Sequence, residues 1–145
     1  MLYFAYTSLI EPKALDEVCP GAEFSFIAHL PEFGLGFPYK NGKWEGGLPS
    51  AKPQPGSTVW GAVFELSKSQ VKAVDELEAS EGRKPTNLEV MDRGGRRHEV
   101  RAYMHNGKSN GKAAKPSAAY VRQMLHGGRH WQLPAGWIAG LEEHL

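Results

Sequence analysis

Apolar and polar positions change period along this chain, and each change marks an element. Leu2-Tyr3-Phe4-Ala5-Tyr6 is almost continuously apolar or aromatic, the pattern of a strand buried on both faces, and Thr7-Ser8 end it. Residues 11–18 read as a short helix, with Pro12 in its first turn and Pro20-Gly21 stopping it. Residues 24–30 have strand character, and Phe33-Gly34-Leu35-Gly36-Phe37 continues as a strand whose glycines admit close approach to the backbone. Gly, Pro, Lys and Asn dominate residues 38–57, from Pro38 to Ser57, which predicts a long irregular connection serving as a lid or wall.

The clearest strand covers residues 58–66 and runs directly into a helix over residues 67–78 with Ser67 as its N-cap. Residues 88–92 and 98–104 form a hairpin turning at Arg93-Gly94-Gly95-Arg96. Ser117 caps a helix that carries Ala119, Tyr120 and Met124 and is expected to stop at Gly127-Gly128, while Pro134 opens a last helix over residues 135–144. Strands and helices without a regular β-α alternation predict an α+β fold: a small, mainly antiparallel sheet or barrel flanked by helices.

Composition narrows the picture. A chain of 145 residues with 41% hydrophobic content is expected to form a single domain, residues 1–145, with a core that needs no metal or disulfide. The formal charge is +1 with acids and bases interspersed, so neither nucleic acid nor an anionic membrane is the expected partner. A small polar metabolite fits better. Cys19 is the only cysteine, the short apolar start has no basic segment before it, and no run reaches the roughly 20 apolar residues of a membrane helix. These features predict a cytoplasmic protein. No apolar stripe exceeds what the core requires, so the oligomeric state is unreadable.

One carboxylate stands out. At about 100° per residue from Val71, Val74 falls at roughly 300°, Leu77 at roughly 240° and Glu78 at roughly 340°. Glu78 thus lies between two valines on the inward face, with Asp75 at the edge of the stripe and Lys72 and Glu76 outside it. An acid seated in apolar packing holds its proton to higher pH, which suits it to proton transfer near neutrality. The competing reading is a rim glutamate that reaches water or pairs with an arginine. Glu81 also maps near the stripe, at roughly 280°, but Gly82 ends the helix there.

The order of these pieces resembles the gamma-glutamylcyclotransferase-like family nearly end to end. Tyr3-Phe4-Ala5-Tyr6-Thr7-Ser8 resembles its opening Y-F-A-Y-G-S; Cys19-Pro20-Gly21-Ala22, Ala28-His29-Leu30 and Leu35-Gly36-Phe37 match its next stretch. Val59-Trp60-Gly61-Ala62-Val63-Phe64-Glu65-Leu66-Ser67 resembles the strand before its L-D-x-x-E-G helix, here Val74-Asp75-Glu76-Leu77-Glu78-Ala79. Pro116-Ser117-Ala118-Ala119-Tyr120, Gly127-Gly128 and Leu133-Pro134 resemble its ending.

The resemblance implies release of 5-oxoproline and a free amine from a γ-glutamyl amine or peptide, without metal or organic cofactor. It implies Glu78 as the single general acid and base, with a proton affinity above the roughly 4.3 of free glutamate. The backbone amides of Thr7, Ser8 and Leu9 would cradle a substrate carboxylate or developing oxyanion, and Tyr6 and Tyr120 would supply hydroxyls. Three positions depart from the pattern: Thr7 and Ala79 replace glycines, and Leu9 replaces an asparagine. A β-branched threonine resists both positive φ and close ligand approach. The second expectation is therefore a catalytically silent relative that keeps the pocket for small-ligand binding or interaction.

Other candidates carry less. Ser8 lacks a G-x-S-x-G elbow. His126 and His130 have i, i+4 spacing but no third ligand, and glycines stand between them. Arg93, Arg96 and Arg97 make a basic turn too small for nucleic-acid binding. Trp44 either folds onto the core or walls a pocket, and Trp60 reads as a core strand residue.

Overall fold

The computed structural model describes residues 1–105 and 114–145. Among them the chain runs β1 (Leu2–Ala5), a 3₁₀ turn (Ser8–Ile10), α1 (Pro12–Val18), β2 (Glu23–Tyr39), β3 (Leu48–Glu65), α2 (Lys68–Ser80), β4 (Arg83–Asp92), β5 (Arg97–His105), α3 (Ala118–His130) and α4 (Ala135–Glu142). The strands close into a barrel in the order β1-β3-β2-β4-β5. Every pairing is antiparallel except β1 with β5, which meet in parallel at Tyr3 and Arg101. This is the α+β architecture the pattern predicts.

The irregular connection expected from Pro38 to Ser57 is instead mostly strand. β2 continues to Tyr39 and β3 begins at Leu48, with Phe33 opposite Pro53, Leu35 opposite Ala51 and Tyr39 opposite Leu48. Only residues 40–47 lie between the two strands. Before Ala62, β3 pairs with β2 alone, and on an edge facing no second strand a proline forfeits no ladder hydrogen bond. The two strands expected over residues 24–37 are likewise one strand, with a register shift between Pro31 and Phe33. Glu32 takes a positive φ of 66° there.

Gly127-Gly128 does not end α3, which runs on to His130. A Cβ at Gly127 would lie 2.5 Å from the carbonyl carbon of Ile10 and 2.6 Å from the nitrogen of Glu11. The glycine thus allows α3 to press against the 3₁₀ turn at Ser8–Ile10. β4 also starts five residues earlier than expected, because Arg83 to Asn87 pair with His105 to Arg101 despite their polarity.

α2 begins with a capping box: the Gln70 amide donates to Ser67 Oγ at 3.3 Å and the Ser67 amide to Gln70 Oε1 at 2.8 Å. These bonds satisfy two orphan donors of the first turn, and a cap of this kind contributes about 1 kcal/mol. Only two residues therefore separate β3 from the helix, which turns Val74 and Glu78 into the interior.

Candidate functional site

The site is built at the turn between α2 and β4. Glu81 caps α2, its amide bonding back to the Glu78 carbonyl at 3.1 Å, and Gly82 takes a φ of +79° that sends the chain into β4. A side chain at Gly82 would meet the Tyr39 ring at 2.6 Å, so both the backbone and the space require glycine. The reversal points Glu78, Glu81 and Arg83 into one volume, where they are 1%, 3% and 1% exposed.

Arg83 links the two acids. Its Nε donates to Glu78 Oε2, its Nη2 to Glu81 Oε1, and its Nη1 to the Pro49 carbonyl at 2.6 Å. The Tyr3 hydroxyl donates to Glu78 Oε1 at 3.3 Å. The Tyr120 hydroxyl donates to Glu81 Oε1 at 2.6 Å and accepts from the Ser8 amide at 3.4 Å, with Arg83 Nη2 3.5 Å away. A continuous polar path therefore runs from the Ser8 amide through Tyr120, Glu81 and Arg83 to Glu78. The path joins the 3₁₀ turn, α3, α2 and β4, and Tyr3 of β1 and Pro49 of β3 bond to it from either side.

Burial pushes the Glu78 carboxyl above the ordinary glutamate range, although the guanidinium beside it pulls the other way. The Glu78 and Glu81 carboxylates hold Arg83 protonated against its own burial. Burial pushes the Tyr6 phenol up to about 12, and Tyr3 and Tyr120 also rise. These phenols are hydrogen-bond donors and acceptors at neutral pH, which leaves Glu78 as the group whose raised pKa suits it to moving a proton.

The expected site residues separate into two groups. Glu78, Ser8 and Tyr120 meet in the polar path. Tyr6 is committed elsewhere: its hydroxyl donates to the Tyr103 carbonyl at 2.5 Å and accepts from the Ala51 amide at 2.9 Å. The Leu9 side chain is buried in the apolar core beside Ile10 and Leu15. Thr7 has a φ of −111°, an ordinary value for a side-chain-bearing residue, so the threonine imposes no left-handed strain. Its Oγ1 is buried without a hydrogen-bond partner among the described residues.

Glu78 is arginine-paired, but as an interior group and not at the rim. Trp44 folds edge-on against Tyr120, with ring centroids 4.8 Å apart. A cavity of 160 Å³ is lined in part by Phe37, Ser50, Lys52 and His105, the last of which pairs with Arg83 between β4 and β5. Ser50 Oγ there accepts from the His105 amide at 2.8 Å, and burial followed by the Arg83 charge lowers the His105 pKa. His126 lies on the outer side of α3 against Glu11, 3.0 Å away. Among the described residues no group of three His, Cys, Asp or Glu side chains is arranged to hold a metal. None of their helices is long and apolar enough to cross a membrane.

Comparison with known proteins agrees with this architecture. The pattern of the AIG2-like family matches residues 58–141, from the second half of β3 into α4. The gamma-glutamylcyclotransferase of Mus musculus is 32% identical over 139 residues, covering 92% of this chain and 72% of that protein. Its Homo sapiens counterpart is 31% identical over the same length and shares. A solved structure of a gamma-glutamyl cyclotransferase superposes with a TM-score of 0.90 at 27% identity, covering 97% of this chain and 85% of that one.

The chain belongs to the AIG2-like, gamma-glutamylcyclotransferase-like family. It is an enzyme of that family. In this member the α2–β4 turn carries Arg83, a residue that sequence reasoning passed over. Arginine is mostly exposed in proteins, and no periodicity marks this one as inward. The available signal was its place one residue beyond Gly82, where a reversal returns the chain toward two inward-facing acids.

Proposed function

We propose that this family member is a cyclotransferase that converts a γ-glutamyl amine or peptide to 5-oxoproline and the free amine, with Glu78 carrying the protons. The observation that supports it most is the Glu78 carboxyl itself: 1% exposed, with its proton affinity raised by burial, and joined through a polar path to the Ser8 amide. In this reading Glu78 takes a proton from the substrate's α-ammonium. The freed amine attacks the γ-carbonyl carbon, and a tetrahedral adduct forms with a new C–N bond.

Glu78 then gives that proton to the departing nitrogen, whose bond to the γ-carbon breaks as the carbonyl re-forms. The ring nitrogen sheds its second proton to the same carboxylate, from which it leaves with the product amine. One carboxyl thus serves as base and acid in turn, and the balance needs no oxidant, reductant or added nucleophile. The backbone at Thr7, Ser8 and Leu9 would steady the oxyanion, with the Tyr120 hydroxyl yielding the Ser8 amide to it. Tyr6 fits a supporting role, holding β3 against the barrel through Ala51. The lone, buried Cys19 is consistent with a reducing, cytoplasmic setting.

The test is a panel of γ-glutamyl amines and dipeptides with 5-oxoproline as the readout. Wild-type protein is expected to release 5-oxoproline from at least one member. Glu78→Gln is expected to lower kcat by about 10³-fold, on the order of what a positioned acid/base contributes, with an unchanged circular dichroism spectrum. Undiminished turnover by the variant would remove Glu78 from the reaction.

A further inference from the structure

Arg83 holds a charge in the interior, where arginine is seldom found. Its Nε and Nη2 form the edge of the fork that elsewhere takes one carboxylate in two parallel bonds. Here that edge is divided between two acids, Nε on Glu78 and Nη2 on Glu81. Nη1 is anchored separately on the Pro49 carbonyl at 2.6 Å. Glu81 and Pro49 have no part in the proton transfers, so two of the three nitrogens keep fixed partners throughout. The third, Nε, holds the very carboxylate that has to turn to a substrate ammonium.

Both Glu78 oxygens are already engaged, Oε2 by Arg83 and Oε1 by the Tyr3 hydroxyl. A carboxylate that leaves a buried guanidinium leaves an uncompensated charge behind, which strongly opposes the change. A ligand that brings its own carboxylate removes that obstacle. The head of a γ-glutamyl compound carries a carboxylate and an ammonium on one carbon, the two charges needed to replace one ion pair by two.

We infer that Arg83 selects γ-glutamyl substrates by their free α-carboxylate. The head group displaces the Glu78–Arg83 contact, its carboxylate taking Nε and its ammonium taking Glu78. Glu81 and the Pro49 carbonyl keep the guanidinium in place during the exchange. A lysine lacks the planar fork and cannot hold both anchors while presenting a further donor in a fixed direction. This inference rests on the cyclotransferase reading and adds to it which part of the substrate must be charged.

The experiment compares a γ-glutamyl amine with its α-carboxamide counterpart, the ammonium intact in both. Wild-type enzyme is expected to favour the carboxylate in kcat/KM by roughly 10- to 100-fold, the range for losing a hydrogen bond to a charged group. Arg83→Lys is expected to bring that ratio to about threefold or less. A wild-type ratio near one, or a wild-type ratio preserved in Arg83→Lys, overturns the inference.

If Arg83→Lys fails to fold by circular dichroism, Glu81→Gln replaces it. This variant weakens one of the two anchors that hold the guanidinium, so it should raise KM for the carboxylate substrate alone. An equal effect on both substrates overturns the inference.

If wild-type protein releases no 5-oxoproline from any substrate, the cyclotransferase reading fails and a binding measurement decides the inference. Calorimetric titration with the γ-glutamyl amine and its α-carboxamide, neither of which is then consumed, measures binding directly. Binding of the carboxylate form alone, lost in Arg83→Lys, upholds the role of Arg83; binding of both alike, or of neither, overturns it.

Discussion

Glu78 is a residue whose ionisation is opposed by burial and favoured by a neighbour, and burial outweighs the neighbour. Two consequences have opposite signs in pH. As a base in the free enzyme Glu78 has to be ionised, so kcat/KM is expected to fall as pH drops through a pKa lying above the ordinary 4.5. Stability runs the other way. Between the unfolded value and the raised folded value the native state binds more protons, so the contribution of this group is full below the unfolded value and is lost as pH rises through the folded one. Urea titrations across that window should show wild-type stability falling with pH relative to Glu78→Gln, which carries no titrating proton there. A difference that is flat or rises with pH would mean the carboxyl is not raised. The inward position of Glu78 was legible because helical periodicity depends only on spacing. Its pairing with Arg83 was not, because the two sit on opposite sides of a glycine reversal that no hydrophobic pattern encodes.

At the scale of elements, close approach decides what the glycines do. Gly127 and Gly140 both lie inside helices, α3 and α4, yet a Cβ at Gly127 would strike the backbone of Ile10 and Glu11 whereas one at Gly140 meets nothing within 4 Å. Gly140→Ala is therefore expected to stabilise the protein by about 0.5–1 kcal/mol through helix propensity alone. Gly127→Ala should destabilise it by about 1–3 kcal/mol through overpacking, and it should lower kcat/KM because the displaced turn carries the Ser8 amide. Thermal melts and initial rates on the two variants check both signs. The same contrast explains what could be read beforehand. A glycine pair looks identical in sequence whether it ends a helix or lets one pass a neighbouring turn. The strand over residues 48–57 escaped for a related reason: Pro49, Pro53 and Pro55 read as loop, and the pairing that makes them strand is supplied by β2. Residues 58–65 needed no such help, since their apolar and β-branched run marks a strand by itself.

For the molecule as a whole, barrel closure and the site share one seam. β1 and β5 meet through the Tyr3 and Arg101 pair, and α2 is fastened across that join at two positions three residues apart. Asp75 accepts from the Tyr103 hydroxyl and from Arg101 Nη2 at 2.9 Å, and Glu78 accepts from Tyr3, whose ring packs edge-on against Tyr103 with centroids 5.7 Å apart. Positions i and i+3 share a helix face, so one face of α2 both latches the barrel and presents the reactive acid. Opening the latch should then loosen the entire fold, not a single flap. Tyr103→Phe keeps the ring contact and removes only the hydroxyl, and is expected to cost about 1–2 kcal/mol, the lower part of the range for losing a hydrogen bond to a charged group, because this one is only partly buried. Trp44, Trp60, Trp131 and Trp137 lie between β2 and β3, in β3, just beyond α3 and in α4, so their fluorescence samples regions that far-UV circular dichroism averages. Urea unfolding followed by both probes is expected to give coincident transitions in the variant, with a lower midpoint and an unchanged slope. Separated transitions would mean that the seam opens on its own, and Glu78 would then owe its seat to α2 packing alone.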